Sequence, residues 1–164
     1  MGFMIELLIN EAINEAEQAI LRNDEPYGAV IANEKGEIIA TEGNRENTMC
    51  NPCAHAELLA ISKACQRLNK KDLKNCVIVT NYKPCPMCAS AILMCGIKKV
   101  YIGSEFEGFK KLFTHTAEKI EENQNLLYVK ELRKKECVQQ VLSGREYLKK
   151  NIPNYVSGHK NGIL

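Results

Sequence analysis

Apolar residues return at helical spacing from about Ile5 to Arg22, where Leu8, Ala12, Ala16 and Ala19 form a stripe that Ile5, Ile9, Ile13 and Ile20 broaden. The pattern predicts an amphipathic helix. PYGAVIA (26–32) reads as a strand, NEKG (33–36) as a turn and EIIATEG (37–43) as the returning strand of a hairpin, with Gly36 in the turn. Residues 44–53 are polar and aperiodic, which predicts a loop. Helical spacing resumes in AHAELLAISKACQRLN (54–69), where Leu58, Ile61, Cys65 and Leu68 line one face. CVIVTNY (76–82) is the β-branched run of a strand buried on both faces. PCPMCASAILMC (84–95) is a helix with proline in its first turn and Gly96 at its end, and IKKVYIGS (97–104) is a further strand. LLYVKEL (126–132) reads as a strand, CVQQVLSGREYLKK (137–150) as a helix interrupted near Gly144, and the last residues as a polar tail. This order of elements predicts a three-layer α/β domain in which the later β-α-β units are right-handed crossovers between parallel strands.

Composition narrows the class. A chain of 164 residues suffices for one domain with a real core and hardly for two, so residues 1–164 read as a single domain. Charged residues of both signs are interleaved, and a net charge of +2 argues against a dedicated nucleic-acid binder. The first twenty residues lack a basic leader and an unbroken apolar stretch, and no segment reaches the ~18 apolar residues of a membrane helix. A cytoplasmic protein with no membrane contact is therefore expected. Eight cysteines without an export signal point to free or metal-bound thiols in place of disulfides. Cys65, Cys76, Cys95 and Cys137 lie among aliphatic residues and read as small core side chains.

The other four cysteines fall in two C-x-x-C pairs, one in CNPCAHAE (50–57) and one in KPCPMC (83–88). Two ligand sets compete. Cys50, Cys53, Cys85 and Cys88 would close a structural zinc knuckle. His55, Cys85 and Cys88 would leave a fourth position open for chemistry. The second set is favoured because His55 and Cys85 each stand at a predicted helix start, where the helix dipole lowers a thiol pKa. Cys85 and Cys88 are also three residues apart and so share one side of a helical turn. Cys50 and Cys53 sit in an irregular loop with no such preorganisation. Residues two apart on a regular helix face away from one another, so His55 and Glu57 can serve one site only if His55 lies at the helix entrance. Alone, Glu57 would read as an acid complementing the helix dipole, and His115 and His159 read as ordinary polar residues.

In combination, H-x-E followed by P-C-x-x-C is the signature of zinc deaminases. CAHAELLA with PCPMC resembles the cytidine deaminase-like superfamily. PYGAVI, Asn44 and AHAELLAISKAC resemble in particular its bacterial guanine deaminase and tRNA adenosine deaminase branch, over roughly residues 5–105. The resemblance implies a three-layer α/β/α fold around a central mixed five-stranded sheet. It implies one Zn²⁺ per chain held by His55, Cys85 and Cys88, with Glu57 as the catalytic proton shuttle of a hydrolytic deamination that releases ammonia. The backbone N–H near Ala56, the side chain of Asn44 and the ring of Tyr27 map to substrate-binding positions. Core packing is the rival reading of Tyr27. The family implies a homodimer, and the last ~15 residues, with Tyr155 among them, are expected to act as a lid or an exchanged tail.

Some features depart from the family. Lys83 stands where glutamate is common, and NPCAH where DPTAH is common. The guanine deaminase branch carries an aspartate in a GFDD-like stretch, which here reads GFKK (108–111). Glu105 and Glu107 are the nearest acidic replacements. The glycine-rich segment of the tRNA enzymes is also missing. The leading expectation is a deaminase of a free nucleobase or nucleoside, purine-like and close to guanine deaminase. The second is a tRNA adenosine deaminase, for which the basic residues Lys63, Arg67, Lys70, Lys71 and Lys74 give a footing, although such residues are usually a solvated surface. Cytosine or another amino-substituted heterocycle is a further alternative substrate. A zinc-stabilised binding protein is the reading outside enzymology, and it has no use for Glu57.

Overall fold

In the computed structural model, which describes residues 2–104, 127–129 and 132–155, the N-terminal stripe forms α1 (Gly2–Leu21). Its buried residues are those of the stripe: Ile5, Leu8, Ile9, Ala12, Ile13, Ala16 and Ala19. The hairpin follows as β1 (Gly28–Asn33) and β2 (Ile38–Gly43), paired antiparallel across a turn in which Gly36 takes φ +86°. Then come α2 (Ala56–Leu68), β3 (Cys76–Tyr82), α3 (Pro86–Met94), β4 (Lys99–Ser104), β5 (Leu127–Val129) and α4 (Lys134–Asn151).

The sheet has five strands in the order β2-β1-β3-β4-β5. β1 pairs antiparallel with β3, whereas β3/β4 and β4/β5 are parallel, so the sheet is mixed. Alternation along the strands sorts the core into two layers. Val30, Ala32, Val77 and Val79 pack with Ile5, Leu8, Ile9 and Ala12 of α1 and with Cys137 of α4. Ala29, Ile31, Ile78, Val100 and Ile102 face the other way, against Ala56, Ala60 and Ala64 of α2 and Ile92 of α3. The architecture is the expected three-layer α/β/α sandwich. Cys76, Cys95 and Cys137 are buried and Cys65 packs at the edge of the same core, as their aliphatic neighbours predicted.

Two expectations are corrected. The fully buried face of α2 is Ala56, Glu57, Ala60 and Ala64; Leu58, Ile61 and Cys65 are half-buried and Leu68 is exposed. Alanines let the helix axis come close to the sheet, and the larger side chains spread to its flanks. The last helix starts earlier than its sequence pattern indicates and runs unbroken through Gly144. That glycine is buried where α4 meets α1, and a Cβ there would lie 2.7 Å from Ile20 and 2.8 Å from Pro26. Its role is close approach, with no break in the helix. The strand expected within 126–132 is present as Leu127–Val129, and residues 126, 130 and 131 lie outside the described residues. Glu105, Glu107, the 108–111 stretch, His115, His159 and the tail from residue 156 lie outside the described residues. No described helix is long and apolar enough to cross a membrane.

Among the described glycines, Gly28 at the junction of α1 and β1 makes the closest approach to another backbone segment. A Cβ on Gly28 would lie 2.0 Å from the Ala12 carbonyl and 2.7 Å from the Ala16 nitrogen, both backbone atoms that no rotamer change can move. Gly28→Ala is therefore expected to lift α1 off the sheet and to cost about 3 kcal/mol. A lowered urea midpoint at unchanged slope measures it, and an unchanged midpoint refutes the contact.

Candidate metal centre

Two helix starts converge at the carboxyl end of β3. β3 ends at Tyr82, and Lys83 extends the pairing by donating its N–H to the Ser104 carbonyl at 2.9 Å. Pro84 then turns the chain into α3, whose N-cap is Cys85, with extended backbone (φ −71°, ψ 168°) and Pro86 as the first helical residue. Cys88 falls one turn on, on the side of Cys85. Opposite, His55 is the N-cap of α2, also extended (φ −72°, ψ 147°). It stands at the helix entrance, as a shared site with Glu57 requires. Neither side chain makes a capping hydrogen bond to its helix; both serve another duty.

The duty is visible in the distances. His55 Nδ1 is 3.6 Å from Cys85 Sγ and 3.5 Å from Cys88 Sγ, and the two sulfurs are 3.6 Å apart. Zinc bound tetrahedrally at ~2.3 Å from sulfur and ~2.0–2.1 Å from nitrogen requires about 3.6 Å between sulfur and nitrogen and about 3.8 Å between sulfurs. The triangle of donors already has those dimensions. Among the described residues, His55, Cys85 and Cys88 are the one group of three donors placed to hold a metal ion. Cys50 and Cys53 are exposed and outside that group, and Cys50 sits at φ +48° in the loop. The four-cysteine alternative has no support in this geometry.

Glu57, in the first turn of α2, is 7% exposed and accepts from Cys88 Sγ at 3.5 Å. With protons in place of a metal among them, these groups perturb one another strongly. Burial, reinforced by the charge on Cys85, pushes the Glu57 carboxyl up to about 7. The contact with the Cys88 sulfur, 3.6 Å away, brings the Cys85 thiol down to about 4 against the effect of burial, with His55 helping. The buried Cys88 thiol is driven upward by Cys85 and by burial. Burial disfavours the charged His55 ring, but its bonds to Cys85 and Glu46 outweigh that and hold it up at about 10.

The loop before His55 is anchored at both ends. Arg45 N–H donates to the Ala54 carbonyl at 2.9 Å, and Asn44 N–H donates to the Tyr27 carbonyl at 2.9 Å. In its middle, buried Asp24 accepts from the Thr48 backbone N–H at 2.8 Å and from the Thr48 hydroxyl, and pairs with Arg22. Asn44 is fully buried. Its Oδ1 accepts from the backbone of Glu25 and Glu46, and its Nδ2 donates to Glu46 Oε2 at 2.6 Å. The other carboxylate oxygen of Glu46 lies 3.6 Å from His55 Nε2. Nothing in the spacing marked Glu46, which reads as one more acid in a polar loop.

Tyr27 is 8% exposed, its ring 5.7 Å from that of Tyr82 and 5.9 Å from the Arg145 guanidinium, which also donates to its hydroxyl. Burial raises its pKa, with Arg145 opposing. The backbone on either side of Tyr27 is fixed by Asn81, whose amide donates to the Pro26 carbonyl and accepts from Gly28 N–H, both at 3.0 Å. Tyr155 donates its hydroxyl to the buried carboxylate of Glu25 within the same chain. Ala56, as the first residue of α2, has an N–H with no acceptor inside its helix.

A family model described as the cytidine and deoxycytidylate deaminase zinc-binding region matches residues 4–104. A tRNA-specific adenosine deaminase of Aquifex aeolicus is 41% identical over 95 residues, 58% of this chain and 62% of its own length. A guanine deaminase of Bacillus subtilis is 44% identical over 80 residues, 49% of this chain and 51% of its own. The chain thus spans between half and two thirds of the length of these curated relatives. The solved guanine deaminase of Nitrosomonas europaea superposes over 87% of this chain and 83% of its own with a TM-score of 0.71 at 22% identity, a likeness of fold.

Two outcomes check the donor set. Cys50→Ser with Cys53→Ser should leave zinc content unchanged, whereas Cys85→Ser or Cys88→Ser should abolish stoichiometric zinc, measured by elemental analysis; zinc loss in the loop double variant would reinstate the knuckle. Zinc must displace the protons that the raised His55 and Cys88 hold at neutral pH, so binding releases protons and apparent affinity rises with pH. Calorimetry in buffers of different ionisation enthalpy reads that release, and a pH-independent affinity would contradict it.

Proposed function

Because the chain belongs to the cytidine and deoxycytidylate deaminase zinc-binding family, we propose that it is a hydrolytic deaminase of an amino-substituted purine base or nucleoside, releasing ammonia. Its cofactor is Zn²⁺, which fits the His/Cys/Cys group. The observation that carries the reading is the buried carboxylate of Glu57 beside a three-donor metal group. A structural zinc site takes four protein ligands and has no use for a buried acid at its edge.

His55, Cys85 and Cys88 hold the ion, one per chain. When bound, zinc supplies a Lewis acid that lowers the pKa of its water toward ~7 and leaves one position for that water. Glu57 then holds and moves protons: its carboxylate takes one from water and hands it to a ring nitrogen, then takes a second from the hydroxyl added to the ring carbon and hands that to the departing amine. A carboxyl poised near neutrality by burial can do both. The Ala56 N–H and the second N–H of Asn44 Nδ2 are donors for acceptor atoms of the base. Tyr27 gives one wall of the pocket.

A small substrate is supported by the modest net charge of +2 and by the aromatic ring of Tyr27, a flat surface suited to a base. A guanine-type base is the leading substrate. The identity to tRNA-specific adenosine deaminases supports a second reading, deamination of adenosine in tRNA. We further propose one domain over 1–164, a homodimer, and a cytoplasmic setting, in line with the family resemblance.

Glu57→Gln should keep the fold and the zinc and lose at least ~10²-fold in kcat, the lower end of what a positioned acid–base group contributes. Wild-type turnover in that variant would refute the mechanism. Ammonia release measured over guanine, adenine, cytosine, their nucleosides, pterins and triazines, beside a tRNA substrate, decides the substrate class; activity on tRNA alone would exchange the leading reading for the second.

A further inference from the structure

Glu46 lies in the polar loop nine residues before His55, yet its side chain is only 16% exposed and is held from both sides. One carboxylate oxygen accepts from Asn44 Nδ2 at 2.6 Å, and Glu46's own N–H donates to Asn44 Oδ1 at 3.0 Å. Asn44 is itself fixed, because its Oδ1 also accepts from Glu25 N–H at 3.3 Å and its backbone N–H bonds Tyr27. The carboxylate therefore cannot swing freely. Its other oxygen stands 3.6 Å from His55 Nε2, on the side of the ring away from the sulfurs.

The tautomer of His55 makes this contact consequential. Nδ1 is the nitrogen that faces Cys85 and Cys88, so Nδ1 must be the metal-binding atom. A neutral ring with Nδ1 on a metal carries its hydrogen on Nε2, and this ring's side chain is only 13% exposed. A buried ring N–H needs an acceptor, and a carboxylate is the strongest one the protein offers. At 3.6 Å the pair is a charge contact between the ring N–H side and the carboxylate.

We propose that Glu46 is a positioning residue for the metal centre: clamped by Asn44, it fixes the Nε2–H tautomer and the orientation of His55 and raises the basicity of Nδ1 toward zinc. Asn44 thereby acts on the metal as well as on the substrate, through Glu46. The inference rests on His55, Cys85 and Cys88 being the zinc ligands.

The test is the zinc affinity of the full chain by competition with a chromophoric chelator, for wild type, Glu46→Ala, Glu46→Gln and the control Glu42→Ala, each checked for fold by circular dichroism. Glu42 pairs with Arg45 and Lys63 and touches no ligand in the group. Loss of a carboxylate behind a ligating histidine costs about 10–100-fold in metal affinity. Glu46→Ala should fall in that range, and Glu42→Ala should match wild type. Glu46→Gln keeps the shape and a weaker acceptor and should fall between the two. It decides the matter if the alanine variant does not fold. The cobalt-substituted protein gives a second readout: its visible ligand-field bands should shift in Glu46→Ala and recover in Glu46→Gln. Wild-type affinity and an unshifted cobalt spectrum in the Glu46 variants would overturn this inference alone. Failure of the wild-type chain to bind zinc would overturn it together with the ligand assignment.

Discussion

The site depends on one constraint: two helices must begin where their N-caps face each other. His55 and Cys85 both hold extended backbone at the threshold of a helix, and neither side chain makes a capping hydrogen bond. That brings an imidazole and two thiols within 4.8 Å, and it puts the first turn of α2, with Glu57 and the Ala56 N–H, on the same focus. Both helix ends carry partial positive charge, which favours thiolate and carboxylate at the point of convergence. Moving either helix by one residue would send its donor elsewhere, because neighbouring helical positions point ~100° apart.

The sheet sets where those helices start. α3 leaves directly from the carboxyl end of β3, a fully buried central strand, so Cys85 and Cys88 inherit the rigidity of the core. α2 leaves from a loop, which is a weaker platform. The loop is stiffened by its own bonds, by Asp24 and by the Asn44–Glu46 clamp, and α2 is drawn close to the sheet by alanines on its inner face. The two halves of the metal group are thus held by different means, one by β-sheet packing and one by polar contacts.

Periodicity and spacing made the chemistry legible. The His, Glu and two Cys were marked by motif, and the requirement that His55 stand at a helix entrance followed from helical rotation alone; the backbone angles bear it out. Less was legible where a residue's partner is distant in sequence. Glu46 and Asn81 are ordinary letters in polar surroundings, and their roles come from neighbours that folding brings together. The innermost face of α2 was harder to read: Leu58, Ile61, Cys65 and Leu68 follow helical spacing, but close helix–sheet approach selects the small Ala56, Ala60 and Ala64. Gly144 was misread as a break because glycine marks both turns and tight contacts, and only the presence of Ile20 and Pro26 tells which.

The anchoring of the loop by Asp24 has a kinetic meaning. Its bonds to Thr48 and its pairing with Arg22 are made entirely between protein groups, and they fix the loop that leads into His55 without using a metal ligand. An incoming ion therefore has little chain entropy to remove and encounters three donors at once, where a floppy peptide would present them one at a time.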